Sequence, residues 1–334
     1  MQVGANLQGV SMEQIAPVVQ STVARWEKRG RIFAADGRYP WMMSHAQVPL
    51  VEDVSSDSLR IYFGTRDQMN RTVTSYCEVS ADDPSKVLYV HDRPILELGE
   101  LGCFDDSGVM PSWIVNHNGL KYFYYIGWNV GTTVPYRNSI GLAVSTDGGT
   151  TFTRAFKGPV LDRTRDEPHF CATPCVLVEE GLWRMWYLSC VRWEWYDGRA
   201  EPYYHIKYAE SKDGVTWDKR GIVAIDFKTA EEGGLVRPCV IRRHEGYRMW
   251  YSFRDGRDFR ISKQHSYRIG YAESVNGLDW MRKDEEVGIG VSETGWDSEM
   301  IAYPFVHQAS NGRTYLFYNG NGFGRSGFGY AVAL

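Results

Sequence analysis

The sequence predicts an all-β fold, a five-bladed β-propeller with four antiparallel strands per blade. Three observations carry this reading. A proline-bearing apolar strand recurs five times, in "QVPLV", "GVMPSWIV", "ATPCVLV", "LVRPCVI" and "IAYPFV", with Pro49, Pro111, Pro174, Pro238 and Pro304 spaced 62, 63, 64 and 66 residues apart. Each is followed by a turn and an aromatic strand, so that "WRMWYLSC" at 183–190 and "YRMWYSFR" at 247–254 are near copies. The last unit stops after its third strand, and the piece it lacks stands at the other end of the chain: "RWEKRGRIFA" at 25–34 matches "TWDKRGIVAI" at 216–225.

Each element has its reason. The first strand of a blade holds a proline, tolerated only where the missing N–H faces no partner; an innermost strand beside a channel has such an edge. The second strands, from "LRIYFGTR" at 59–66 to "TYLFYNGN" at 314–321, are rich in the aromatics that suit a pleated surface, and their rings are expected to pack between blades. The third strands are "TSYCEVS", "SIGLAVS", "HIKYAES", "RIGYAES" and "FGYAVAL". In the second to fourth units they run into "STDGGTTF", "SKDGVTW" and "SVNGLDW", whose Asp-Gly and Asn-Gly pairs tolerate the positive φ of a hairpin turn. Segment 25–34 supplies the fourth strand of the last blade and closes the ring, leaving no open edge. The blades span about 44–96, 103–161, 167–225, 231–289 and 296–334 plus 25–34, in one propeller over 25–334. Residues 1–24 form an N-terminal arm, with a short helix or a loose segment over 1–20.

Bulk composition narrows the function. A hydrophobic fraction of 43 % supports a sizeable core, and a net charge of −4 gives no electrostatic case for nucleic acid or an anionic membrane. No run approaches the roughly 18 apolar residues of a membrane span. The N-terminus lacks the basic and apolar regions of a secretory signal, so a cytoplasmic address is expected. The six cysteines, at 77, 103, 171, 175, 190 and 239, include no CxxC pair and no histidine at metal spacing. They predict neither a disulfide framework nor a metal site, and no cofactor is expected. The 12 Trp, 21 Tyr and 14 Phe fit both a β fold and a sugar-stacking surface.

Because strands alternate in direction, one face collects the residues before the first strands and after the second. There stand Asp105, Asp106, Glu167, His169, Glu231, Glu232, Asp297 and Glu299, with His45, Arg66, Trp128, Trp193 and Arg254. Carboxylates crowded near an axis can support acid and base chemistry on a sugar. Asp106, Glu167 and Glu232 are the candidate catalytic groups. His45, Arg66, Asp105, Trp128, His169, Trp193, Arg237, Arg254 and Glu299 are the candidate substrate-binding groups. The plainer alternative is that these polar residues solvate a channel mouth. The arginines either grip a carboxylate or phosphate or pair with neighbours such as Asp67 and Asp255, and Trp193 is either a sugar platform or loop packing.

Five blades, acidic residues before the inner strands and "WDSEMIAYPFV…TYLFYNGNGFGRSGFGYAVA" resemble the superfamily of family 43 and family 32 glycosidases. These are arabinanases, xylosidases, invertases and levansucrases, whose architecture the family 130 mannoside phosphorylases share. The resemblance covers about Arg25 to Leu334. It implies carboxylates from the first three inner strands as base or nucleophile, pKa tuner and acid. By position Asp106 (or Asp105) matches the second blade's and Glu167 the third's. The first blade offers His45 and Gln47 where an aspartate is expected, and "NDPNG" and "RDP" do not occur. That departure points the chemistry round the ring toward Glu232 and Glu299, or toward transfer or phosphorolysis. "STDGGTTF" also fits the hairpin box of six-bladed sialidases, a minor alternative. The expected function is therefore glycoside hydrolase-like cleavage of an oligosaccharide or glycan precursor at the channel mouth. The alternatives are a phosphorylase or transglycosidase, or a non-catalytic carbohydrate-binding or scaffold propeller.

Overall fold

Continuous buried runs fill the inner strands of a computed structural model that describes residues 25–334, nearly all of it β, while the outermost strand over 26–33 alternates between buried and more exposed side chains. The expected N-terminal arm, 1–24, lies outside the described residues. Strand β1 (Trp26–Phe33) opens the described chain. Four-stranded antiparallel meanders then follow. The first comprises β2 (Ser44–Asp53), β3 (Ser58–Arg66), β4 (Thr72–Ser80) and β5 (Val87–Val90). The second comprises β6 (Gly108–His117), β7 (Leu120–Val130), β8 (Tyr136–Ser145) and β9 (Thr153–Arg154). The third comprises β10 (Cys171–Glu179), β11 (Leu182–Tyr196) and β12 (Arg199–Ser211), against which both β13 (Trp217–Asp218) and β14 (Val223–Ile225) pair. The fourth comprises β15 (Glu232–Arg243), β16 (Gly246–Asp255), β17 (Arg268–Ser274) and β18 (Met281–Arg282). In the last, β19 (Ala302–Gln308), β20 (Thr314–Asn319) and β21 (Phe328–Ala333) are joined on the outside by β1. The first strands pack in cyclic succession: β2 on β6, β6 on β10, β10 on β15, β15 on β19 and β19 on β2.

The aromatic second strands bind neighbouring meanders together. Trp186 Nε1 of β11 donates to the Gly277 carbonyl of the next meander at 2.8 Å, and its ring meets Trp280 edge-on. Trp250 of β16 meets Trp26 of β1 in the same way, ring centroids 6.2 Å apart. Burying such rings removes 150–250 Å² each from water, the main source of cohesion between sheets that share few hydrogen bonds. The three turns work by one device. Ser145, Ser211 and Ser274 each accept the N–H of Gly149, Gly214 and Gly277 through Oγ, at 2.9, 2.9 and 2.8 Å. Those glycines have φ of +87°, +73° and +77°, where a Cβ is strained.

The prolines differ from expectation in one respect. They sit at β-bulges, not simply on a bare edge: the register slips at Gln47/Leu50, Pro111/Trp113, Ala172/Cys175, Val236/Cys239 and Ala302/Phe305. In four meanders the residue before the proline has positive φ: Val48 (55°), Thr173 (45°), Arg237 (59°) and Tyr303 (56°). A residue preceding proline avoids helical dihedrals, and a left-handed non-glycine costs about 1–3 kcal/mol. Side chains from neighbouring meanders hold three of these kinks. Asn319 Oδ1 accepts Val48 N–H at 2.7 Å, Thr173 Oγ1 accepts Arg237 N–H at 3.2 Å, and Ser252 Oγ accepts Tyr303 N–H at 2.7 Å.

Candidate functional site

Where the first strands begin, the second end and the third begin, the sheets leave a cavity of about 330 Å³. Its lining includes four of the sequence candidates: His45, Arg66, Trp128 and Arg254. The walls are aromatic, with Tyr136, Phe170, Tyr204, Phe259, Tyr267 and Phe323, and no Asp or Glu lines it among the described residues.

Arg66, at the end of β3, is the distinctive charge. Its Nη2 reaches Gln47 Oε1 only at 3.4 Å, and its Nε has no hydrogen-bond partner among the described residues. Burial holds its pKa below the usual guanidinium value. Trp128 Nε1 is a second buried donor without an acceptor among the described residues. A Cβ on Gly108 would stand 1.7 Å from that nitrogen, so only glycine lets the indole lie across the start of β6. Burial, then the charges of Arg66 and Arg325, push the His45 imidazole down to about 4, which leaves it neutral at pH 7. Its Nδ1 lies 2.9 Å from Ser44 Oγ.

The other cavity arginines are committed. Arg254 donates to the carbonyls of Asp255 and Pro202 and to the Tyr204 hydroxyl, and lies 3.6 Å from the Phe259 ring centroid. Arg260 forks onto both oxygens of Glu201 at 2.7 and 3.0 Å. Arg199 reaches Glu201 at 3.4 Å.

Most of the nominated carboxylates lie elsewhere, and they follow a rule. In four meanders an acid stands six or seven residues before the proline and meets a basic side chain of the same sheet's outermost strand region. Asp105 pairs with Arg154 at 2.8 Å, Glu232 with Arg282 at 2.7 Å, and Asp297 with Lys28 at 2.7 Å. Glu167 lies between Lys219 at 3.0 Å and Lys207 at 3.1 Å. A second-strand tyrosine joins each group. Tyr125, Tyr187 and Tyr318 donate to Asp105, Glu167 and Asp297, and Tyr251 donates to Asp284, which shares Arg282. Burial opposes the ionisation of Glu167, but the Lys219 and Lys207 ammoniums outweigh it and hold its carboxyl below the ordinary value. In the first meander Met42 stands seven residues before Pro49, and Phe63 takes the tyrosine's place. Both are fully buried, so apolar side chains stand where the other meanders have an ionic group.

The remaining candidates scatter. Asp106 is half-buried on the loop before β6, accepting Ser107 Oγ–H at 2.8 Å and Gly102 N–H at 3.0 Å. It lies two residues from Gly108, which pairs with cavity-lining Trp128. Trp193 packs edge-on to Tyr136 at 5.6 Å, behind the cavity wall. His169 is half-buried beside cavity-lining Phe170. Glu299 is exposed, 3.5 Å from Lys263, and Arg237 is wholly buried. Tyr204 and Tyr267, whose hydroxyls hydrogen-bond to each other, were not singled out from sequence. Each stands two residues before the isoleucine of its third strand, Ile206 or Ile269, a column signal that attention to first and second strands passes over.

No family model matches the chain. Among solved structures it is similar to a glycosyl hydrolase from Bacteroides ovatus (TM-score 0.68, 13 % identity, covering 93 % of this chain and 94 % of that one). It is also similar to a thermostable family 43 glycoside hydrolase (TM-score 0.58, 17 % identity, 88 % and 89 %). A third is a glycoside hydrolase from the family 130 mannoside phosphorylases that targets β-1,2-mannosidic linkages in Candida mannan (TM-score 0.66, 13 % identity, 94 % of each). The fold is thus that of the glycoside hydrolase-type proteins. By sequence the chain is 39 % identical over 307 residues to "Uncharacterized protein Rv1502" of Mycobacterium tuberculosis (strain ATCC 25618 / H37Rv), covering 92 % of this chain and 98 % of that protein. It belongs to that protein's family. A shorter similarity, 26 % over 141 residues, covering 41 % of this chain and 45 % of the other, is to a 1,2-beta-oligomannan phosphorylase of Thermoanaerobacter sp. (strain X514).

Proposed function

We propose that the protein cleaves or forms a glycosidic bond of an oligosaccharide in the 330 Å³ cavity, with phosphate as the group exchanged. The five meanders are read as blades of one closed propeller, a reading supported by the cyclic packing of their first strands and by β1 on the outside of the last sheet. The observation that carries the chemical proposal is the lining: aromatic walls, unpaired donors on Arg66 and Trp128, and no carboxylate among the described residues. Hydrolysis by paired carboxylates needs two of them about 5–5.5 or 6.5–9.5 Å apart across the substrate. Glu167 and Glu232 are held in ion pairs instead.

Phosphate brings its own nucleophilic oxygen, so one proton donor to the departing sugar suffices. Asp106 has no cationic partner among the described residues and stands on the loop beside the cavity, two residues before Gly108, the strand partner of Trp128; it is assigned that role, reaching the substrate from outside the lining. Arg66 holds the phosphate, and the aromatic rings stack the sugar. The similarity to an oligomannan phosphorylase supports the same reading. Incubation with a panel of α- and β-linked oligosaccharides, with and without phosphate, tests it. A sugar 1-phosphate should form only when phosphate is present, and Asp106→Asn should slow it by about 100-fold or more. Equal turnover without phosphate makes the protein a hydrolase. Sugar binding without turnover selects the second reading, a glycan-binding module, which the same carboxylate-free lining favours.

A further inference from the structure

Arg237 has no place in the chemistry above and is a wholly buried charge with no ionic partner among the described residues. Its side chain is 0 % exposed. One Nη donates to the Pro49 carbonyl at 3.2 Å, while Nε and the other Nη have no partner among the described residues. The guanidinium carbon lies 5.9 Å from the Trp113 ring centroid and 5.5 Å from that of Phe305. The charged or ionisable groups that act on it are the thiols of Cys239 and Cys175, and no carboxylate does so among the described residues. Burial draws its pKa down to about 10, which still leaves it charged at neutral pH. Its backbone is itself forced, at φ +59° immediately before Pro238, with the N–H held by Thr173.

An uncompensated buried cation is strongly unfavourable, and replacing it with an apolar residue is the cheaper solution unless something neutralises it. Pro49, Thr173 and Arg237 come from three of the five first strands, so the guanidinium lies where those strands converge. We infer that Arg237 holds a small monovalent inorganic anion of chloride size where the first strands meet. The surroundings select that class. Two aromatic rings, two thiols and one carbonyl offer few donors, so a multivalent anion would lose its hydration without replacement, whereas a weakly hydrated halide loses least.

Soaking crystals of the wild-type protein in bromide and mapping its anomalous signal tests the inference directly. A peak is expected within hydrogen-bonding reach of Arg237 Nε or Nη1. An ordered water or a carboxylate of the chain in that place overturns it. Thermal melts in chloride and in gluconate at matched ionic strength give an independent reading. Chloride should raise Tm by roughly 2–4 °C in the wild type and leave Arg237→Met unmoved; equal melting of the wild type in both salts contradicts the site.

Discussion

Glu232 receives a two-pronged contact from Arg282, 2.7 and 2.8 Å to its two oxygens, and a third hydrogen bond from the Lys228 N–H at 2.7 Å. Both side chains are about nine-tenths buried, and Arg282 also pairs with Asp284 at 2.7 Å, so removing Arg282 strands two carboxylates at a cost of about 3–5 kcal/mol. Arg282→Met should therefore lower the melting temperature sharply, whereas Glu232→Gln, which leaves Arg282 paired with Asp284, should cost less. Calorimetric melts distinguish the outcomes. Glu167 adds a pH dependence. Its folded-state pKa is depressed, so its stabilising contribution is complete above the unfolded value near 4.5 and is lost as pH falls through the folded value. Urea titrations from pH 7 downward should show wild-type stability falling below about pH 5. Glu167→Gln should flatten that part of the curve while being less stable at pH 7. The recurrence of these acids is plain in the sequence, in the column Asp105, Glu167, Glu232 and Asp297. Their partners are equally regular, since Lys28, Arg154, Lys219 and Arg282 each follow an aromatic by two residues. What reading along one strand could not reveal is that folding brings the two columns together as ion pairs within each sheet.

At the scale of the strand, the bulge before each proline shapes the cavity floor. The kink turns Val48, Thr173 and Tyr303 toward the place where the sheets converge, and all three line the cavity. Ser252 is wholly buried, and its Oγ is the acceptor for the Tyr303 N–H. Ser252→Ala leaves that amide without a partner and should cost about 1–3 kcal/mol, with faster hydrogen exchange at Tyr303 as the local signature. Ser252→Thr, which keeps the hydroxyl, should retain more of the protection. Strand order, turn positions and the pairing of β1 with the last sheet were legible because each follows from a repeated pattern. The bulges were not, because proline spacing marks where a strand is interrupted but not which neighbouring side chain accepts the displaced N–H.

Across the whole molecule, cavity and sheets divide the charged residues between two tasks. The ionic groups before the first strands hold four of the five meanders to their own outermost strand regions, and Arg66 Nε and Trp128 Nε1, at the convergence of the sheets, have no partner among the described residues. Those two were legible as mouth residues from strand direction alone. The aromatic wall around them was not, since Tyr204 and Tyr267 enter from third strands whose starts lie in the longer, less regular connections. The account rests on the cavity taking an anion through Arg66. Because that guanidinium is buried without a carboxylate partner among the described residues, Arg66→Met should keep or raise the melting temperature. Calorimetric titration of inorganic phosphate into wild type and Arg66→Met is therefore the most direct test. The account predicts binding to the wild type that weakens about tenfold or more in the variant; equal affinity in the two proteins, or no phosphate binding by the wild type, would contradict it.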